Sequence, residues 1–427
     1  MLKTFLNAFA DKQVRTKILL TLLVLLVFRL GCYIPVPGLD ASLIKDYVAT
    51  NDFLQTLSTI SGGAMSNGTL FALGILPFIN AFIIMQLLTI IIPSLERLSK
   101  EGEEGKKRLT QITRLFAVGL GAIQAIGIMI SWRNAGAVLE TFGSDILTIA
   151  FVVVILVAGS TLVMWLGERI TEYGIGNGTS LIIFVGIVST LGNSLLTAIK
   201  NIGNDINNLW YVLGFIGIVL ILFTFIVYID LSERRISIQY AKQVKGNKMY
   251  GGQSTYIPIR INASGVMPII FASAFLMFPQ MISSFWPESG FYQWYARNLG
   301  AGQWLYITLM SLFILFFSFF YAQIQFNPDD MARNIQQYGG FIPGIRPGKP
   351  TSLYLGKINN RITLFGAFFL AIVALVPGIG FSVIGENIGM NNAFSATGLL
   401  IVVSVALEFN KQLESQLMMR HYKGFLK

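Results

Sequence analysis

Histidine and cysteine are almost missing from this chain of 427 residues, with His421 and Cys32 occurring once each. A lone thiol closes no intrachain disulfide, and without a second thiol or imidazole no Cys/His metal set assembles. Charge is scarce as well: 12% of residues are charged, 54% are hydrophobic, and the mean hydropathy is +0.65. That balance excludes an ordinary soluble domain. Phosphate-binding loops are also lacking. Gly102 to Arg108 approaches a P-loop, but Lys100 stands where its first glycine is required and Lys107 replaces its Ser/Thr, so the stretch reads as a charged hairpin tip. Gly174-Ile175-Gly176-Asn177-Gly178 has Thr179 where a dinucleotide loop needs its third glycine, and reads as a tight turn. No catalytic constellation and no cofactor site is visible, so an enzyme is not expected.

What the chain does have is apolar runs. Ten of them lie near 18–34, 70–92, 112–132, 146–166, 178–199, 209–229, 266–286, 303–326, 362–384 and 393–409. Each is close to the ~20 residues that cross a bilayer, which predicts a polytopic membrane protein. An even number of spans puts both termini on one side. The net charge is +10, and its distribution fixes the side: segments 1–17, 93–114, 167–177, 230–265, 327–361 and 410–427 hold 26 of the 31 Lys and Arg. By the positive-inside rule these segments and both termini are cytoplasmic. Residues 2–9, with Leu2, Phe5, Leu6 and Phe9 at helical spacing, read as an amphipathic helix on the cytoplasmic surface. Cys32 follows Leu30 and Gly31, but Arg29 stands where a lipoprotein signal wants an aliphatic residue, and no small-x-small cleavage pattern follows the first run.

One segment departs from the pattern. From Leu57 to Ile92 the chain carries no charge, yet Gly62, Gly63, Gly68, Gly74 and Pro77 interrupt it. It is too long for one ordinary helix and too short for two spans with a loop. Irregular backbone at membrane depth survives only where protein or a water-filled cavity satisfies its polar groups, so a pore or buried site is expected here. Splitting the chain near residue 201 leaves five runs on each side. Five is odd, so related halves insert in opposite orientations, with the functional path at their interface. The second segment of the second half, Asn262 to Trp286, carries Gly265, Pro268 and Pro279, with Pro287 just beyond, at positions corresponding to the first break. A secondary transporter shares this signature, and an assembly scaffold is a third possibility. Ion coupling requires intramembrane ionisable groups, and seven of the ten runs have none within them. An uncharged path suits a large, chemically varied passenger.

Several motifs resemble those of one family. They are Tyr33-Ile34-Pro35-Val36-Pro37-Gly38, Phe71-Ala72-Leu73-Gly74-Ile75 running to Pro77, Gln86-Leu87-Leu88, Trp165-Leu166-Gly167-Glu168, Gly174 to Gly178, Gln253-Ser254-Thr255, Phe326-Asn327-Pro328 and Pro343-Gly344-Ile345-Arg346-Pro347-Gly348. In this order, along essentially the whole chain, they resemble the SecY family of protein-conducting channels. The resemblance implies an all-α polytopic protein of ten transmembrane helices, in two inverted five-helix halves (18–200 and 201–409) around a central pore. It also implies a multi-pass place in the bacterial plasma membrane, with translocation of unfolded secretory polypeptides and lateral insertion of transmembrane helices. The implied partners are SecE and SecG subunits, the SecA motor ATPase, the ribosome, signal peptides, nascent polypeptides and membrane lipid.

Site residues carry over by motif. A re-entrant plug is expected at about 57–67 (Leu57, Ile60, Ser61, Gly62, Gly63, Ala64, Met65, Ser66, Asn67), and a pore ring at Ile75, Ile79, Thr179, Ile183, Ile270 and Ile401. Aliphatic side chains in such a ring dewet and seal against ions while adapting to a passing chain. Thr179 departs from the family's isoleucine, so its hydroxyl must bond back to its own helix or loosen the seal. A lateral gate is expected at Gln86, Gln124 and Asn262, whose amides would satisfy one another when closed. Docking of motor or ribosome falls to the loops 230–265 and 327–361, with Arg234, Arg235, Lys242, Lys245, Lys248 and Arg346.

Overall fold

The computed structural model describes residues 9, 11–139, 144–202, 208–240, 243–245, 248–250, 254–262, 265, 267–283, 286, 289–299, 303–384 and 396–424. The helices of the first half are α1 (Lys12–Gly31), α2 (Ala41–Thr50), α3 (Asp52–Ile60), α4 (Leu76–Ile91), α5 (Pro93–Lys100), α6 (Glu103–Asn134), α7 (Asp145–Tyr173) and α8 (Gly178–Ile202). The second half holds α9 (Asn208–Leu231), α10 (Met267–Ser283), α11 (Gly290–Leu299), α12 (Trp304–Gln325), α13 (Pro328–Gln337), α14 (Lys349–Ile384) and α15 (Ala396–Gly424). Of the expected N-terminal surface helix, residues 2–8 lie outside the described residues.

Among the described residues, four stretches are long and apolar enough to cross a membrane: Glu103–Asn134, Asp145–Tyr173, Trp304–Gln337 and Lys349–Leu375. The pair α4 and α5, bent by 101° at Ile92 and Pro93, makes a fifth if counted as one span. Local chemistry explains why other apolar helices fall short. Arg15, Lys17 and Arg29 leave α1 without a long uncharged window, and α10 is 17 residues long with Pro279 inside it.

The glycine-rich break behaves as its composition requires. After Ile60 the backbone turns repeatedly, with Gly62, Gly68 and Gly74 at positive φ (72°, 57°, 56°), a region that costs an L side chain about 1 kcal/mol or more. Helix resumes at Leu76 rather than near 70, with Pro77 in its first turn, where the missing N–H costs nothing.

The chain is mostly helical but not all-α, which corrects the sequence expectation. Strands β1 (Glu233–Tyr240), β2 (Gln243–Lys245), β3 (Lys248–Tyr250), β4 (Ser254–Arg260) and β5 (Gly340–Phe341) occupy the two long polar loops. In β1 the inward positions alternate, burying Ile236 and Ile238, a period of two that only a strand can present to one face. It pairs antiparallel with β4 (Ile236 opposite Ile257) and, on its other edge, with β5 (Gln239 opposite Phe341). Ile236, Ile238 and Ile259 share a core with Ile335, Ile342 and Leu355, so loops 230–265 and 327–361 form one body.

Candidate functional site

Eight helices contribute side chains to a cavity of about 660 Å³, and four of them bring the expected ring positions to it. Its apolar lining includes Ile79 from α4, Thr179 and Ile183 from α8, Ile270 from α10 and Ile401 from α15, five of the six positions expected for the ring. Ile75 stands one turn before Ile79, is almost fully buried, and does not line the cavity. Spacings of four residues (Ile75 and Ile79; Thr179 and Ile183) put these side chains on one stripe of each helix, as 3.6 residues per turn demands. The Thr179 hydroxyl is engaged: Oγ1 donates to Asn177 Oδ1 at 2.6 Å, and the same oxygen accepts the Thr179 N–H at 3.1 Å. Two outcomes were expected, a bond back to its own helix or a loosened seal. In the first turn of α8 there is no helical carbonyl four residues back, so the capping Asn177 takes that role. The Thr179 methyl and Ile75 Cδ1 both lie beside Gly167, each 3.5 Å from where a Cβ there would sit.

One turn further along α8 the expected plug segment is seated. A Cβ on Gly186 would lie 2.5 Å from the Ile60 carbonyl oxygen, so only glycine admits the segment this close. The Gly62 nitrogen lies 3.2 Å from the same point, and Arg29 Nη1 donates to the Gly62 carbonyl at 2.6 Å while Nη2 donates to the Tyr33 hydroxyl at 2.8 Å. Cys32 Sγ reaches the Ser61 carbonyl at 3.6 Å. Internal bonds hold the turns: Ser61 Oγ accepts the Met65 N–H (3.2 Å), and Ser58 Oγ donates to Ser66 Oγ (3.1 Å). Ala64 and Met65 are fully buried; Leu57, Ile60, Gly63, Ser66 and Asn67 are partly buried. The helical part of the segment, α3, starts at Asp52 and ends at Ile60, earlier than the expected limits.

Seven charged residues share the cavity wall, which sequence reasoning missed. Arg114 pairs with Glu168 (Nε to Oε1, 2.7 Å), and Glu172, Asp230, Arg260, Glu408 and Lys411 complete the polar side. These groups stand at or beyond the ends of the apolar runs, so the uncharged run interiors concealed them. Asp230 is the first charge after the run 209–229, a position that could have flagged it. Its carboxylate ties three elements together, accepting from Asn262 Nδ2 (2.7 Å) and Ser404 Oγ (2.8 Å), while its backbone carbonyl accepts from Lys411 Nζ (3.2 Å). Burial holds the Lys411 ammonium below its ordinary range, and Arg260 adds to the effect.

Asn262 therefore belongs to Asp230 and not to the other amides, which corrects the expected gate cluster. Its Oδ1 and the Oε1 of Gln86 are both buried with no hydrogen-bond partner, so neither accepts from the other or from buried Gln124. A carboxylate accepts more strongly than a neutral amide, and Asp230 lies within reach.

The SecY family model matches residues 69–410. The chain belongs to the SecY family. It is 42% identical to the protein translocase subunit SecY of Streptomyces galbus, with 100% of both chains covered. To that of Thermus thermophilus it is 43% identical, covering 100% of this chain and 98% of the other. Among solved structures it is similar to one titled "The structure of a protein conducting channel" (TM-score 0.68, 22% identity, 93% of this chain and 91% of that one). It is also similar to Sec61 in the canine ribosome–channel complex (TM-score 0.63, 19% identity, 93% and 91%). At such identities these likenesses carry the fold.

For a SecY-family chain, the basic residues of the two polar loops are differently disposed. Arg235 is engaged, with Nε 2.8 Å from Glu233 Oε1 and its guanidinium 4.8 Å from the Tyr256 ring centroid, whereas Arg234 is exposed. Lys245 and Lys248 stand opposite one another in the β2–β3 hairpin, and Lys242 lies outside the described residues. Arg346 is exposed in a turn bracketed by Gly344 and Gly348 at positive φ, and its carbonyl accepts from Thr351 Oγ1 at 2.9 Å. That bond fixes the backbone and leaves the guanidinium outward.

Proposed function

We propose that this chain is the channel-forming subunit of a bacterial protein translocase, moving unfolded secretory polypeptides across the plasma membrane and releasing apolar helices sideways into it. The observation that carries this reading is the order of features along α8. Thr179 and Ile183 face the cavity, and Gly186, about 4.5 Å further along the axis, receives the segment around Gly62. In this reading the cavity is the cytoplasmic vestibule, the aliphatic side chains are the constriction, and residues 57–67 close the outer side with Arg29 as their latch. An aliphatic ring seals by excluding water yet offers no fixed ligand geometry, so sequences of any chemistry can pass. The charged wall lies at the vestibule mouth, with positive and negative groups nearly balanced, and so favours no single sign of passenger.

Ten spans in two inverted halves, both termini cytoplasmic, complete the architecture. The alternating Lys/Arg distribution and the corresponding breaks in the second and seventh runs support it. Separation of α4 from α10 would open the lateral gate, with Gln86 and Gln124 on one side and Asn262, anchored to Asp230, on the other. SecE and SecG are the expected companion subunits, SecA or the ribosome supplies the driving force, and Arg346 with the exposed loop cations is the docking surface.

The test is a photoreactive residue placed singly at Ile183 or Ile401, with lipid-exposed Val154 as control, during translocation of an arrested secretory precursor. Adducts to the precursor are expected at Ile183 and Ile401 and not at Val154. Equal labelling from all three positions would refute the pore assignment.

A further inference from the structure

A second concave feature lies away from the cavity, on the outer flank of the second half. Helices α12 and α14 leave an open groove of about 570 Å³ between them, walled by Phe319, Leu353, Lys357, Arg361 and Leu364. Both helices belong to stretches apolar and long enough to cross a membrane. Along α14 the charges stop at Arg361, with none from there to Ile384, and α12 carries none from Trp304 to Gln325. Lys357 and Arg361 thus mark the boundary between water and hydrocarbon.

Their arrangement is specific. Residues 357, 361, 364 and 368 recur at intervals of four, three and four, one stripe of a helix, so two cations are followed by Leu364 and Phe368. Lys357 and Arg361 are exposed, and neither makes an ion pair or hydrogen bond among the described residues. Leu364 and Phe368 are 46% and 54% exposed. The Asp329 carboxylate accepts from Ser352 Oγ, about 8 Å along α14 from Lys357 on the water side. It is thereby engaged away from the two cations.

We propose that this groove binds an anionic phospholipid, its phosphate bridged by Lys357 and Arg361 and an acyl chain lying along Leu364 and Phe368. A guanidinium and an ammonium one turn apart match a phosphate, and basic pockets between membrane helices at the cytoplasmic boundary select anionic headgroups. The apolar stripe below distinguishes a lipid from a free anion. The inference requires only that α12 and α14 span the membrane.

The experiment is titration of the full chain, purified with its companion subunits, with phosphatidylglycerol, reading bound lipid by native mass spectrometry. At about 1 kcal/mol per basic residue, Lys357→Gln with Arg361→Gln is expected to weaken binding about 30-fold. Lys106→Gln with Lys107→Gln, which removes the same charge elsewhere, is expected to change nothing, and the swap Lys357→Arg with Arg361→Lys to bind as the unmodified chain does. Phosphatidylcholine is expected to bind weakly and excess inorganic phosphate not to displace the lipid. Unchanged affinity in the Lys357/Arg361 double variant, an equal loss in the Lys106/Lys107 control, equally tight phosphatidylcholine, or displacement by phosphate would each overturn the proposal.

Discussion

Replacing Arg29 with alanine removes the bond by which α1 holds the segment around Gly62, an Nη1–carbonyl distance of 2.6 Å. A hydrogen bond to a charged group contributes about 1.5–3 kcal/mol, and the short distance belongs to that class. The contact of Arg29 with Tyr33 stays within α1 and its immediate continuation, so it holds Arg29 in place without reaching the segment. Once the segment leaves, water reaches both the guanidinium and the Gly62 carbonyl, so the loss falls on the seated state alone. About 2 kcal/mol then shifts the seated-to-displaced ratio about 30-fold. Single-channel recording of Arg29→Ala in planar bilayers should show resting open probability raised by about that factor. Arg29→Lys should fall between, because a point-like ammonium reaches the carbonyl but cannot also hold Tyr33 as the guanidinium fork does. A folded Arg29→Ala protein with the resting open probability of the unmodified chain would refute the latch.

Thr179→Ile keeps the methyl beside Gly167 and sacrifices one bond to Asn177, so ion leak should stay unchanged or fall, at a stability loss of about 1 kcal/mol; a clear rise in leak would remove Thr179 from the seal. Asp230→Ala strips the acceptor from both Asn262 and Ser404, and thermal unfolding in detergent should register about 2–4 kcal/mol of destabilisation. Asn262→Leu should then cost about 1–2 kcal/mol less in the Asp230→Ala background than in the unmodified chain, and additive losses would deny the pairing. Arg346→Glu should leave assembly and stability intact while abolishing motor-driven translocation; full activity would confine Arg346 to its turn.

The mostly helical architecture was legible because hydrophobic runs and Lys/Arg asymmetry are one-dimensional signals. The glycine-rich break was readable for the same reason, since Gly62, Gly68 and Gly74 announce backbone no other residue adopts cheaply. Five of the six positions expected for a ring line one cavity, because helical periodicity fixes which side chains share a stripe. What escaped depends on contacts distant in the chain. The bond of Asn262 to Asp230 spans 32 residues and that of Ser404 to Asp230 spans 174, and neither leaves a periodic trace. The small sheets were hidden because the strands of Glu233–Tyr240 and Ser254–Arg260 lie in loops whose charge and glycine content read as irregular. The seat for the Gly62 segment on Gly186 was likewise invisible, because a glycine required by another element's backbone looks like any glycine in a membrane helix.

The central claim is that this chain conducts unfolded polypeptide. Its most direct test is translocation of a radiolabelled secretory precursor into proteoliposomes containing the chain and SecE, with SecA and ATP supplied outside. Protease-protected precursor that requires both the chain and ATP is the predicted result. Absence of protection, with SecA still bound and a control channel active in parallel, would contradict it.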